Sequence, residues 1–497
     1  MPIRMRGVFV VMGVLAALFA AFGAALHTED SAAGAILGAG AAVLVTSVFI
    51  ALMDWRRGLF LLLLLALAED SVRKALPGLP GWVPVMKDLV AAAAYISYFF
   101  GPRAGRLPLS PDMKIKVVAP VALWLGFVVM EMFNPGVPHP LVAISGLRTW
   151  AIYVPLALLV YASIRDGDIT IAWMRRIVYL AIPFFILTLL QNNYRDMLPG
   201  FLTDRAFKGE RWLETGEVLG YNESFFATPT LYAVICLLQF CLVVGLLKVG
   251  QKPRQIMWLW VCGYCAVAGA YLSGIRTGLS LIMCGVIAMF PLAFARVYLQ
   301  PQGLRGTAAP QRRGGLLAGG MLGIAIGAAL VGTMGAPRTS AFFTAFSPAI
   351  VQERVDYAVS APMTIEAGLL GNGTGTAGAS GRVMTLLGEP SASAEWVEWG
   401  GALIRYCFGD AGLIIGAVLL AWMFFGLLSI AFEHRAMRFA PLRFALWVYL
   451  CGQMAWYLLK AFPILENGTM CLVFWSSVGA LLGFAQLDRE AAARVKA

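Results

Sequence analysis

The chain is predicted to be an all-α polytopic membrane protein of about fourteen transmembrane helices. Three observations predict it. Hydrophobic residues make up 60% of the 497 positions and charged residues only 13%, against about 45–50% and about 25% in soluble domains. Runs of the roughly 20 apolar residues that cross a hydrocarbon core recur along nearly the whole length. The charges between those runs sort into two unlike sets. Water-soluble, disordered, collagen-like and disulfide-scaffold classes are excluded together.

The spans are placed near 8–26, 33–53, 58–68, 83–100, 117–134, 142–163, 177–191, 227–247, 256–273, 278–298, 315–334, 406–431, 444–459 and 467–486. The first follows Arg4 and Arg6, and its apolar stretch of about 19 residues exceeds the 7–15 of a signal-peptide core, so it reads as a retained span. The third is short and runs into Glu69-Asp70, which suggests tilt or re-entry. One set of alternate loops holds 24 of the 38 lysines and arginines but only seven of the 27 acids. By the positive-inside rule that face is cytoplasmic, with both termini inside. The net charge of +11 therefore reports orientation, and no nucleic-acid partner is implied. The eight cysteines lie in or beside spans. Cys262-Gly-Tyr-Cys265 has redox-motif spacing without a soluble βαβ context, so it reads as membrane core.

Two segments on the opposite face, 192–226 and 335–405, exceed the 12–15 residues of ordinary connections. Both carry aromatics, Trp212 and Tyr221 in the first, Trp396 and Trp399 in the second. Such rings stack on sugars or anchor at the membrane interface. The chain otherwise forms a single integral membrane domain over 1–497, and no repeat relates its halves, unlike transporters built from duplicated bundles. Gly371-Asn-Gly-Thr-Gly-Thr376 lacks the lysine and preceding strand of a nucleotide loop; a glycine turn offering backbone N–H groups fits better. The sequons at Asn222, Asn372 and Asn467 are expected to face outward.

The chemistry is expected in basic residues kept on the face that normally sheds them: Arg73, Lys74, Lys87, Arg148, Arg205, Arg211, Arg276, Arg354, Arg382 and Arg405. An arginine at membrane depth costs at least about 2.5–3.5 kcal/mol, so each calls for an anion or a wet cavity. Guanidinium matches phosphate oxygens in a bidentate fork. Together they suggest a lipid-linked phosphate or diphosphate. Glu395 and Glu398, flanked by Trp396 and Trp399 beside a span, are the leading carboxylates for a general base. Asp410, Glu353, Asp356, Glu69 and Asp70 are further options. The three histidines, His27, His139 and His434, avoid both long segments, and no metal site is implied.

Several motifs carry a resemblance. Glu69-Asp-Ser-Val-Arg-Lys-Ala-Leu-Pro77 is followed by Lys87-Asp88; Gly146-Leu-Arg148 by Tyr153-Val-Pro-Leu156; Arg211–Gly216 by Tyr221-Asn222. Ser273-Gly-Ile-Arg-Thr277, the glycines of 371–376 and Glu395-Trp-Val-Glu-Trp399 before Arg405 complete the series. In order and placement, over roughly residues 60–430, the chain resembles the bacterial O-antigen ligase and Wzy-type polysaccharide polymerase superfamily. The resemblance implies a fold like the GT-C-type ligases and polymerases. It also implies a glycosyltransferase of the bacterial inner membrane, acting at the periplasmic face on an undecaprenyl-diphosphate-linked glycan without metal or other cofactor. In that family arginines hold the diphosphate. The role carries over best to Arg276 and Arg211, then to Arg148, Arg205, Arg354 and Arg405, with Arg73 and Lys74 nearby. Family ligases keep an essential histidine in the large loop; none lies in 335–405, which favours the polymerase branch. A flippase and chain-length or export proteins of the same pathway are the implied partners. The alternatives are O-antigen ligase-like transfer to another acceptor and a lipid-linked oligosaccharide flippase.

Overall fold

In a computed structural model of the chain, the described residues are 31–75, 86–101, 109–137, 139–199, 202, 210–212, 218–220, 222–226, 228–249, 252–274, 413–433, 437–459 and 468–496. Helices dominate them: α1 (Ser31–Met53), α2 (Trp55–Ala75), α3 (Met86–Phe100), α4 (Pro111–Glu131), α5 (Pro140–Ala151), α6 (Leu156–Ser163), α7 (Gly167–Tyr179), α8 (Ala181–Tyr194), α9 (Pro229–Leu247), α10 (Pro253–Leu272), α11 (Leu413–Phe432), α12 (Ala440–Leu459) and α13 (Gly468–Lys496). A short antiparallel hairpin, Glu210–Trp212 with Val218–Gly220, pairs Arg211 with Leu219. Among the described residues, five helical stretches are long and apolar enough to cross a membrane: α4, Gly167–Tyr194 spanning α7 and α8, α9, α10 and Gly468–Arg494 of α13. The spans expected at 8–26, 278–298 and 315–334 lie outside the described residues.

Local chemistry sets the helix starts. α4, α5, α9 and α10 each begin on a proline, whose missing N–H would have no partner there in any case. Ser110, His139 and Thr228 sit just before three of them and accept backbone N–H groups: Met113 N to Ser110 Oγ at 3.3 Å, Leu141 N to His139 Nδ1 at 3.1 Å, Leu231 N to Thr228 Oγ1 at 3.2 Å. Asp166 caps α7 through Asp168 N at 2.8 Å and Ile169 N at 3.2 Å.

The span expected at 142–163 is broken. Pro155 has no N–H to give the Ala151 carbonyl, which accepts from Val154 N instead, at 3.2 Å. The chain turns over Ile152–Pro155 and restarts as α6. The Ile152 carbonyl at the break accepts from Tyr95 Oη of α3 at 2.7 Å, so this carbonyl keeps a partner. Other boundaries shift outward. The helix expected at 177–191 begins at Gly167, and the last continues to Lys496.

α9 forms the centre, with 16 of its 19 residues buried against α7, α10 and α12. A second core joins α1, α2 and α3 to α6 and the start of α13. α12 runs antiparallel to α9: Gly245 faces Leu442 and Ala445, while Gly452 faces Leu237. Near the start of α4 a π-helical turn covers Lys114–Val118. Pro120, four residues after Lys116, cannot donate to the Lys116 carbonyl. That oxygen lies only 2.2 Å from where a Cβ on Gly426 of α11 would stand. Gly426→Val is therefore expected to push α11 off α4 and cost about 1–3 kcal/mol, measured as a lowered unfolding midpoint of the purified chain.

The ion pairs sort by end. At one end Arg489 pairs with Asp112 and Glu433, Lys116 with Asp112, and Arg438 with Asp168. At the other, Arg148 pairs with Asp88 and Arg195 with Glu223. None of these pairs mixes the two alternating sets of loops defined by sequence. Gly274, after α10, belongs to the Asp88 end because neighbouring Leu272 and Ser273 accept from Asn222, next to the Arg195–Glu223 pair. Leu413, at the start of α11, does so because Lys116 bonds Ser429 near the far end of α11.

Candidate functional site

The cluster at the Asp88 end is built from three helices. The first turn of α3 supplies Lys87 and Asp88, both 4% exposed. α5 supplies Arg148 near its C-terminal end, and the break after it supplies Tyr153. Arg148 Nε donates to Asp88 Oδ2 at 2.5 Å, and Tyr153 Oη donates to Asp88 Oδ1. α13 closes the site: a Cβ on Gly468 would lie 2.5 Å from Lys87 Cε and 2.8 Å from Tyr153 Oη. A larger residue there would displace the Lys87 and Tyr153 side-chain ends. The Asp88 carboxylate thus receives a guanidinium and a phenol at once, while the Arg148 side chain stays 39% exposed. This arrangement fixes a guanidinium in orientation before any ligand arrives.

The proline break is what makes the geometry possible. An unbroken helix would carry residue 153 more than a full turn beyond Arg148, on a different bearing. The turn at Ile152–Pro155 lets both side chains reach one carboxylate. A discontinuous helix with its polar groups satisfied from neighbours is how irregular backbone persists at membrane depth.

A second polar assembly lies at the tops of α8, α9 and α10. Asn222, Glu223 and Ser224 are 2%, 0% and 0% exposed. Gln191 grips the segment, accepting from Ser224 N at 2.8 Å and donating to Ser224 O at 2.9 Å. Ser224 Oγ donates to Phe184 O at 2.9 Å, and Ser224 itself adopts φ 53°. Asn222 Nδ2 donates to Leu272 O at 2.8 Å. Glu223 meets Arg195, whose Nη2 stands 3.3 Å from Oε2. Asn222, expected to face outward as a sequon, is buried with its amide committed and offers no glycan acceptor.

Of the residues singled out by sequence, Arg148 stands in the first cluster with a carboxylate partner. Arg73 and Lys74 lie in the last turn of α2, which packs beside α3, at the same end. Arg211 lies on the first strand of the hairpin. Arg205, Arg276, Arg354, Arg405, Glu395 and Glu398 fall outside the described residues, as do Arg382 and the glycines of 371–376. Sequence reasoning passed over Arg195, Glu223 and Gln191. The available signal was Phe225-Phe226, an apolar pair next to Asn222-Glu223-Ser224 at the end of the long segment 192–226. The opposite end also holds what sequence counted as loop charge: Arg443 and Asp488 are 0% and 1% exposed, 3.1 Å apart.

Among the described residues, no group of three or more His, Cys, Asp or Glu side chains could hold a metal ion. No protein-family model matches the chain, and no curated protein matches it.

Proposed function

We propose that this chain polymerises undecaprenyl-diphosphate-linked oligosaccharide repeat units into a surface polysaccharide or exopolysaccharide, at the face of the membrane carrying Asp88. The observation that carries the reading is the Asp88-held Arg148. It is a half-exposed guanidinium set beside a broken helix, at the end opposite the arginine-rich loops. Breaking the anomeric C–O bond places negative charge on the departing diphosphate and positive character on the sugar carbon. Arginines fixed in advance stabilise that leaving group without reorganising. Holding donor and acceptor together supplies much of the remaining rate. The acceptor hydroxyl attacks the anomeric carbon, and its proton passes to Glu398 or Glu395 or to solvent. Arg276, Arg211, Arg205, Arg354 and Arg405 are the further diphosphate ligands of this proposal, which places the chain in the bacterial inner membrane.

The test gives purified chain a polyprenyl-diphosphate oligosaccharide in proteoliposomes. Longer glycan on the lipid, with one undecaprenyl diphosphate released per bond formed, is the expected result. Movement of the donor across the bilayer without coupling would instead establish a flippase, the reading that discontinuous helices also suit.

A further inference from the structure

At the Asp88 end, the end of α8 meets the segment before α9 in a corner that the proposed leaving-group chemistry does not use. Phe226 N donates to Glu223 O at 3.0 Å, closing a turn in which Ser224 takes φ 53°. A serine in the left-handed region is strained, and such backbone persists where its surroundings over-determine it. Gln191 and the Phe184 carbonyl do so here, by hydrogen bonds to Ser224 N, O and Oγ. The turn sets the fully buried Glu223 carboxylate against Arg195, whose Nη2 stands 3.4 Å from Oε1 and 3.3 Å from Oε2. The Arg195 side chain is still 27% exposed. Burying a carboxylate is costly, and what this one holds is a guanidinium that opens to solvent.

Amides extend the array. The Leu272 carbonyl can only accept, so Asn222 turns Nδ2 toward it, at 2.8 Å. The same nitrogen reaches Asn192 Oδ1 at 3.3 Å, and Asn192 Nδ2 reaches Asn193 Oδ1 at 3.2 Å. A buried carbonyl thereby sets the flip of each amide in turn, which leaves Asn193 Nδ2, a donor, at the outer end of the row. Asn192 and Arg195 are three residues apart and share one side of the helix end. That side meets Asn222 and Glu223. Asn192 and Asn193 are both exposed.

Charge decides the ligand. Around Asp88, Lys87 accompanies Arg148, so cations exceed the carboxylate and an anion is drawn. The two segments that build the corner, 184–199 and 222–229, carry Arg195 as their one cation, against Asp196 and Glu223. They supply no positive excess for a diphosphate. They supply planar N–H donors fixed in advance, and hydroxyl and ring oxygens accept from such donors at little cost in freedom. We infer that Arg195, Asn192 and Asn193 bind an uncharged sugar residue of the lipid-linked glycan, with Glu223 as the positioning residue for Arg195. The ligand is taken from the polymerase reading; the donor array is independent of it.

The experiment measures binding to the full-length purified chain in mixed micelles, with two probes: undecaprenyl diphosphate and the same lipid carrying its oligosaccharide. Arg195→Gln is expected to weaken the glycosylated lipid about tenfold, the worth of one or two hydrogen bonds, and to leave the bare lipid within about twofold. Glu223→Gln, which keeps the shape but frees the guanidinium, should give the same split. Arg148→Ala should weaken both probes alike. Equal weakening of both probes by Arg195→Gln overturns the inference, by assigning Arg195 to the diphosphate or to the fold, and so does no change in either. If Arg148→Ala changes neither affinity while Arg195→Gln acts on the glycosylated lipid alone, the polymerase reading loses its anion site and the sugar site stands. A native chain that binds neither probe overturns both. Should Arg195→Gln fail to fold, the exposed Asn193→Ala decides, with an expected loss of about threefold for the glycosylated lipid alone.

Discussion

Asp488→Ala is expected to lower the stability of the fold by about 3–5 kcal/mol, the largest single-residue stability loss expected among the described residues. Arg443 of α12 is fully buried and Asp488 of α13 nearly so. The Arg443 guanidinium does two things at once. It donates from Nη1 to Ile430 O at 2.7 Å and from Nη2 to Glu433 O, meeting carbonyls at the end of α11 that have no helical partner. Its Nε faces Asp488 Oδ2, and Asp488 Oδ1 accepts from Phe439 N at 3.1 Å. Removing the carboxylate strands both a buried cation and a backbone N–H, and desolvation of an unmet charge dominates the cost. Denaturant unfolding of the purified chain in detergent reads the loss. A drop below about 1 kcal/mol would show that the corner tolerates an unpaired charge. The apolar pair Arg443→Met/Asp488→Leu should recover part of the deficit but not all of it, because the Ile430 and Glu433 carbonyls lose their donor.

Arg148→Ala is expected to abolish long-chain polysaccharide in cells while protein level stays intact. Losing one fixed donor to a developing oxyanion typically costs about 10²–10³ in rate. Coupling in proteoliposomes should fall by at least that factor. Arg148→Lys keeps the charge but not the fork, so it should restore little. The Asp88 carboxylate keeps the Tyr153 hydroxyl in both variants, and protein level separates a folding defect from a catalytic one. Arg276→Ala is expected to show the same loss. Unchanged chain length in both variants would remove the arginine argument altogether.

Much of the architecture is legible in the residues because the bilayer makes simple demands. Among the described residues, apolar runs of spanning length became helices, and prolines at 111, 140, 229 and 253 stand where four of them start. The alternating loop charges agree with the way the ion pairs divide between the two ends. Hydropathy failed at Pro155, since a window average over 142–163 cannot register a single missing N–H. It also failed to distinguish α9 from α4. Both carry a long apolar run, 117–130 in α4, yet 16 residues of α9 are buried, while Leu123, Val129 and Met130 of α4 are exposed. Lipid tails are as apolar as a leucine core, so sequence pattern carries little information on which face meets protein.

The site divides the same way. Arg148 stands out by sequence because an arginine on the unfavoured face needs an anion. Its anion, Asp88, is 60 residues earlier on another helix, and only packing joins them. Glu223 and Gln191 went unnoticed for a related reason: helix ends and a side-chain amide distant in sequence satisfy the polar run Asn222-Glu223-Ser224 internally. Composition and charge order determined that the chain is a helical membrane protein and how its ends alternate, because transfer free energies add along the chain whatever its contacts. Which charges pair, which are buried and where a helix breaks to bring them together was decided by tertiary structure, because hydrogen bonds and ion pairs depend on ångström distances between residues far apart in sequence.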